Sequence, residues 1–234
     1  MSSAASVSTA SLQDVHESLC HPGITRLSHY VKVKNLAYSL DEIRKVCLQC
    51  PVCCEFKPRY FRPPESSLIR ALRPFDRLSV DFIGPKPSVT RNKYLLVIVD
   101  EYSRFPFAYP CSDMSATTVI NCLHKLFSVF GCPASVHSDR GSQFMSREVN
   151  QYLLSLGVVL THSTPYHPQG NGQCERVNGT IWRAVRMALK SKGVVENQWE
   201  SVLDTVLHSI RSLLCTATNE TPHERLFSFP RKNI

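Results

Sequence analysis

The stretch YLLVIVD, residues 94–100, constrains the fold more than any other part of the chain. It runs almost without polar alternation, the pattern of a strand buried on both faces rather than one with a wet side. Such a strand belongs inside a sheet that carries helices on both sides. Its neighbours fit that setting. RLSVDFIGP before it and FPFAYPC after it are rich in β-formers and predict a three-strand meander. The rhythm then changes. ATTVINCLHKLFSVFG has helical spacing and stops at Gly131, ASVHSD reads as a short strand, SREVNQYLLSLG as a helix and VVLTHST as another strand. From about Gln173 the pattern is helical, with one break near Gly193. Strands first, then strand and helix in alternation, predict an α/β fold with a mixed sheet and helices packed on it.

The segment before this region is of a different kind. Residues 11–57 form a small His/Cys-bearing block, and SLDEIRKVCLQC predicts a helix with Ser39 as N-cap and Glu42 completing a capping box. Residues 58–75 are rich in Pro and Arg without a period, as expected of a linker. The start, MSSAASVSTASLQDV, lacks the charged and apolar regions of a secretory signal and reads as a flexible leader. The expected division is therefore a leader over 1–11, a His/Cys block over 12–57, a basic linker over 58–75, an α/β core over 76–192 and a helical extension over 193–234. No apolar run approaches the length of a membrane span, so no membrane partner is expected. The net charge of +8 and pI near 9.0 suit a polyanionic partner.

Four of the ten cysteines fall between Cys47 and Cys54, and without a secretory signal a reducing compartment is expected. Four residues separate His16 from His21 in H-x₄-H spacing, 28 separate His21 from Cys50, and two separate Cys50 from Cys53. Two imidazoles and two thiolates suit tetrahedral Zn²⁺. CLQCPVCC also offers Cys47 as a partner of Cys50, but Ile43, Cys47 and Cys50 share one helical stripe, which suits Cys47 to a small core position. His29 is a further competing ligand. Cys20, Cys54, Cys111, Cys122, Cys132, Cys174 and Cys215 read as thiols outside any metal set.

Asp81, Asp139 and Glu175 stand at two strand ends and at the start of a long helix. Acids in such places are usually turn residues or caps, as Asp41, Asp100, Asp113 and Glu148 are expected to be, and Glu101 beside the buried strand is of the same kind. Acids gathered at one sheet edge repel one another unless cations lie between them, and Mg²⁺ prefers such oxygen ligands. Spacing separates the two readings. Thirty-five residues lie between Asp139 and Glu175, and they include a helix, a strand and the Gly/Pro-rich YHPQGNGQ. With DFIGP at Asp81, KYLLVIVDEYSRF, SDRGSQF at Asp139 and YHPQGNGQCERVNG at Glu175, the chain from about residue 16 onward resembles the integrases of gypsy-class long-terminal-repeat retrotransposons.

That resemblance implies a ribonuclease-H-like core with a mixed five-stranded sheet, preceded by a helical HHCC zinc domain holding Zn²⁺ through His16, His21, Cys50 and Cys53. It implies two Mg²⁺ or Mn²⁺ ions held by Asp81, Asp139 and Glu175, 3′-end processing of element DNA and strand transfer into target DNA. It also implies double-stranded DNA as partner, a homo-oligomer and action in the nucleus; the family normally continues into a small β-barrel, which the sequence to Ile234 is not expected to include. Asn178 is carried over as a DNA contact. At helical spacing it shares a face with Glu175, Trp182 and Arg186, where retroviral members often have lysines. Arg186 stands as the replacement charge, Trp182 as a core residue, and Gln143 as a DNA contact or a loop-solvating side chain. In that family Pro165, Pro168, Gly170 and Gly172 would form a flexible loop delivering Glu175. A domesticated or truncated, non-catalytic DNA- or protein-binding module is the alternative. The His/Cys block and the spacing of the acids count against a ribonuclease H proper.

Overall fold

The computed structural model describes residues 11–56, 71–163 and 172–231. The leader, apart from Ser11, residues 58–70 of the linker, and Pro165, Pro168 and Gly170 lie outside the described residues.

Five strands form one sheet in the order β3-β2-β1-β4-β5: β1 (Arg77–Ile83), β2 (Tyr94–Asp100), β3 (Pro106–Cys111), β4 (Ser135–Ser138) and β5 (Val159–His162). The first three are antiparallel neighbours, while β4 joins β1, and β5 joins β4, in parallel. The sheet is thus mixed and five-stranded. β2 is a central strand, and its residues divide between two cores. Leu96 and Ile98 pack with Leu78, Val80 and Val136 beneath α5 (Ala116–Phe130) and α6 (Arg147–Ser155). Leu95, Val97 and Val99 pack against α7 (Gly172–Ser191) and α8 (Glu200–Ser212). Side chains alternate across a strand, so a strand serving two cores must be apolar at every position. That is why the sequence shows a run in place of an alternation.

Local chemistry sets the helix ends. Ser115 caps α5 by accepting from the Thr118 amide, and Gly131, at φ +82, closes it. Ser146 caps α6 through the Val149 amide. The helical tail is more broken than the expected single interruption. After Gly193 a 3₁₀ turn (Glu196–Gln198) leads into α8, and a second break at 213–221, closed by a bridge between Cys215 and Glu220, precedes α9 (Pro222–Phe227). Pro222 at the start of α9 and the capping box of Thr221 and Glu224 restart the helix there. Trp199, Val202, Leu203, Val206 and Leu207 are buried with α7, so α8 is part of the sheet's cover.

The N-terminal block holds α1 (Leu12–Ser18), α2 (Ile24–Val33), α3 (Leu40–Gln49) and α4 (Pro51–Phe56). Ser39 and Glu42 form the expected capping box at α3. The small core of this block includes Leu27, Val31, Ile43 and Cys47, and also Leu213 from the end of α8. Cys20 in turn joins the core between the sheet and α7. Ser209 of α8 donates to the Leu19 carbonyl, and Lys190 of α7 lies 3.8 Å from Glu55. No described helix is long and apolar enough to cross a membrane.

Candidate active site and metal centre

Three contacts fix the first turns of α7 against β1 and the end of β2. Cys174 points its thiol at the Ser79 carbonyl (3.8 Å), Asn178 Nδ2 donates to Asp81 Oδ2 (2.8 Å), and Gln173 Nε2 donates to the Glu101 carbonyl (3.2 Å). Glu175 lies between the first two, on an exposed position of the same turn. Asp139 arrives from the other side. β1 and β4 are parallel with Val80 opposite Ser138, so Asp81 and Asp139 follow at adjacent positions on neighbouring strands. Neighbouring strands lie about 4.8 Å apart. One edge of the sheet therefore gathers the three acids from β1, the end of β4 and α7.

Each acid is oriented differently. Asp81 Oδ1 accepts from the Phe82 amide (2.8 Å), while Asp139 Oδ1 accepts from the Gly141 amide (2.9 Å). The turn after Asp139 is anchored by Phe144, buried and stacked on Phe82 with ring centroids 5.7 Å apart. Ser138 Oγ donates to the Asp139 carbonyl (2.8 Å), and His162 Nδ1 of β5 lies 3.1 Å from the same oxygen. Nothing in the sequence pattern marked Ser138 or His162; they brace the backbone of Asp139 from a strand pairing that only the fold reveals. Glu175 has no hydrogen-bond partner among the described residues.

Burial is the main influence on Asp81, and the neighbouring acids add to it. Burial, with the charges of Asp139 and Glu175, pushes its carboxyl up to about 6, against the pull of the Phe82 amide and Asn178. Asn178 Oδ1 is buried without a partner beside it. An all-oxygen set whose central member resists ionisation suits a hard divalent cation. A consequence follows for stability in metal-free protein. The folded state holds the Asp81 proton up to about pH 6, and the unfolded chain releases it near 4, so stability falls as pH rises between those values. Asp81→Asn is expected to raise the thermal midpoint by a few degrees at pH 7 in EDTA and to have little effect at pH 4. Differential scanning calorimetry at the two pH values checks this; an equal effect at both would contradict it.

The other candidates are placed elsewhere. Gln143 lies half-buried in the turn after Asp139. Trp182 packs edge-on against Trp199, as a core residue does. Arg186 lies over the Phe56 ring (4.7 Å) and 3.9 Å from Glu196, about three turns from Glu175. Asp100 is buried and ties the β2–β3 turn through Ser103 and Phe75; Glu101 pairs with Arg77 at 2.9 Å. Asp41, Asp113 and Glu148 serve helix starts or pair locally at the surface.

In the N-terminal block His16, His21, Cys50 and Cys53 bring one ligand atom each within 4.8 Å of one another, and all four are at most 3% exposed. His16 Nε2 lies 3.2 Å from Cys53 Sγ and His21 Nδ1 3.3 Å from Cys50 Sγ, close to the roughly 3.6 Å edge that zinc bond lengths give a tetrahedral site. The set fits zinc. Cys47 stands behind it, its sulfur 3.9 Å from the other nitrogen of His16, and packs with Ile43 and Leu213. His29 is not in the group. Cys47→Ala is expected to retain one zinc per chain and to cost about 1 kcal/mol of stability, as removal of a small core side chain does. Metal analysis after dialysis reads the first, and loss of the zinc would return Cys47 to the ligand set.

Residues 71–168 match the family described as integrase core domain. The Pro-Pol polyprotein of simian foamy virus type 3 (strain LK3) is 30% identical over 219 residues, 90% of this chain and 18% of that protein. The corresponding polyprotein of feline foamy virus is 30% identical over 76% of this chain, and the transposon Tf2-3 polyprotein of Schizosaccharomyces pombe 27% identical over 91%. The chain spans less than a fifth of the length of each of these relatives. Among solved structures, a simian T-cell lymphotropic virus intasome in complex with PP2A regulatory subunit B56 gamma matches 96% of this chain and 77% of its own (TM-score 0.61, 21% identity). The HTLV-2 integrase catalytic core domain in complex with magnesium, in a trimeric form, matches 67% of this chain and 99% of its own (TM-score 0.55, 19% identity).

Proposed function

We propose that the chain, whose residues 71–168 match the integrase core domain family, is the integrase of a gypsy-class long-terminal-repeat element, which trims the 3′ ends of element DNA and joins them to target DNA. The observation that supports this most is the convergence of Asp81, Asp139 and Glu175 at one sheet edge, where the other two charges act on Asp81. These residues would hold two Mg²⁺ or Mn²⁺ ions, whose chemistry when bound is to activate the attacking oxygen and stabilise the departing one in an in-line displacement at phosphorus.

The chain's own groups prepare that site. Asn178 holds one oxygen of Asp81 and leaves the carboxylate in a fixed rotamer. The Gly141 amide does the same for Asp139. Glu175, free of partners among the described residues and exposed, completes the set when substrate and cation are present. Gln143 and Asn178 contact the DNA near the acids, and Arg186 lies further along α7. Zn²⁺ held by His16, His21, Cys50 and Cys53 would stabilise the small N-terminal block, the domain expected over 12–57. The working form is a homo-oligomer on double-stranded DNA in the nucleus.

The test is a reaction of the purified chain with duplex oligonucleotides carrying terminal-repeat ends. With Mg²⁺ or Mn²⁺, shortened 3′ strands and longer joined strands are expected on a sequencing gel, and EDTA is expected to remove both. Binding of the duplex without either product would favour a non-catalytic DNA-binding module.

A further inference from the structure

The face of α7 that leads away from the acids carries Asn178 and Trp182, and the cation on it comes from another element. Lys86, in the β1–β2 connection, places Nζ 4.4 Å from the centroid of the Trp182 ring. α7 runs parallel to β1, matching Cys174 to Ser79, Asn178 to Asp81 and then Trp182 to Lys86. Lys86 therefore continues the line of the active site. Trp182 is seven residues beyond Glu175, a rise of about 10 Å along the helix, or about three nucleotides at 3.4 Å each.

The connection that carries Lys86 is held in place. The Lys86 amide donates to the Lys93 carbonyl (2.7 Å), and Gly84, at φ +128, makes the turn where a Cβ would meet that same carbonyl oxygen. Ser88, Thr90 and Asn92 all donate to the carboxylate of Glu200 at the start of α8, and the Val89 amide donates to the Asn197 carbonyl. Arg186 and Lys190 on α7 have acidic partners in Glu196 and Glu55, whereas Lys86 has none among the described residues. Its ammonium lies over an indole face, which limits its rotamers while leaving N–H donors on the side away from the ring for a ligand.

We propose that Lys86, positioned by Trp182 and by the loop clasped to Glu200, is a DNA-backbone contact that grips a phosphate about three nucleotides from the reacting one. This rests on the reading of the chain as an integrase and assigns that reading a residue outside the catalytic helix. Arg186, the charge expected to serve this face, lies over Phe56 and 3.9 Å from Glu196, further along α7.

The test is equilibrium binding of a fluorescent terminal-repeat duplex by anisotropy, without turnover, across a salt series. Lys86→Ala is expected to weaken binding several-fold and to make the slope of log affinity against log salt shallower by about 0.9, the loss of one phosphate contact. Lys86→Arg is expected to keep the wild-type slope. Lys125→Ala, an equal loss of charge on α5 across the sheet, is expected to leave it unchanged. An unaltered slope in Lys86→Ala, or the same change in Lys125→Ala, would overturn the assignment while the integrase reading stands. A wild-type chain that binds no duplex would overturn both.

Discussion

Asp139→Asn is expected to lower strand joining by at least about a thousand-fold while leaving duplex binding and the thermal midpoint near those of the wild type. The asparagine keeps the size of the side chain and an oxygen for the Gly141 amide, so the turn running to Phe144 stays in place. It lacks the negative charge. A divalent ion supplies several kcal/mol of transition-state stabilisation, and about 4 kcal/mol is a thousand-fold in rate. Glu175→Gln is expected to cost a similar factor, and the double variant hardly more, because groups that hold one metal cluster fail together. Single-turnover gels with Mg²⁺, alongside anisotropy with the same duplex, separate chemistry from binding. Wild-type product from Asp139→Asn would remove that residue from the site.

The second large effect lies at the opposite end of the chain. Cys50→Ser, or His16→Ala, is expected to reduce bound zinc from one per chain to none and to melt α1 to α4. These helices are short and share a small core, so a structural zinc worth on the order of 10 kcal/mol decides whether they fold. The loss is expected to spread. Leu213 of the sheet's cover is buried among Leu27, Ile43 and Cys47, and Cys20 is buried against α7, so each core completes the other. The thermal midpoint of the whole chain should therefore fall on treatment with a zinc chelator, together with helical circular dichroism. Full zinc content in Cys50→Ser would contradict the ligand set.

Much of the fold was legible because local rules and global packing agree. The apolar run 94–100 announced a strand with two cores, and the sheet places Leu96 and Ile98 in one and Leu95, Val97 and Val99 in the other. Ser39 and Gly131 marked helix ends that the structure keeps. The second break in the helical tail was not legible. It depends on a bridge between Cys215 and Glu220 and on a cap at Thr221, and short polar stretches of that kind carry little periodicity.

At the candidate site the acids were visible through spacing, and the His/Cys ligands through their types. Their supports were not. Ser138 and His162 act through the pairing of β4 with β5, and the partner of Asn178 is a carboxylate 97 residues earlier in the chain. Lys86 meets Trp182 only because α7 lies parallel to β1. Side-chain contacts between distant elements leave no period in a sequence. Arg186 shares that helix face by spacing, and its neighbours Phe56 and Glu196 likewise come from elements that spacing does not reveal.

The central claim is that Asp81, Asp139 and Glu175 make one metal site. Anomalous diffraction from crystals soaked in Mn²⁺ measures that directly. The expected result is a peak bounded by carboxylate oxygens of Asp81 and Asp139, with a second beside Asp81 and Glu175 when duplex ends are present, and no peak in crystals of Asp81→Asn. A peak liganded by other residues, or a bare edge of the sheet at millimolar Mn²⁺, would contradict it.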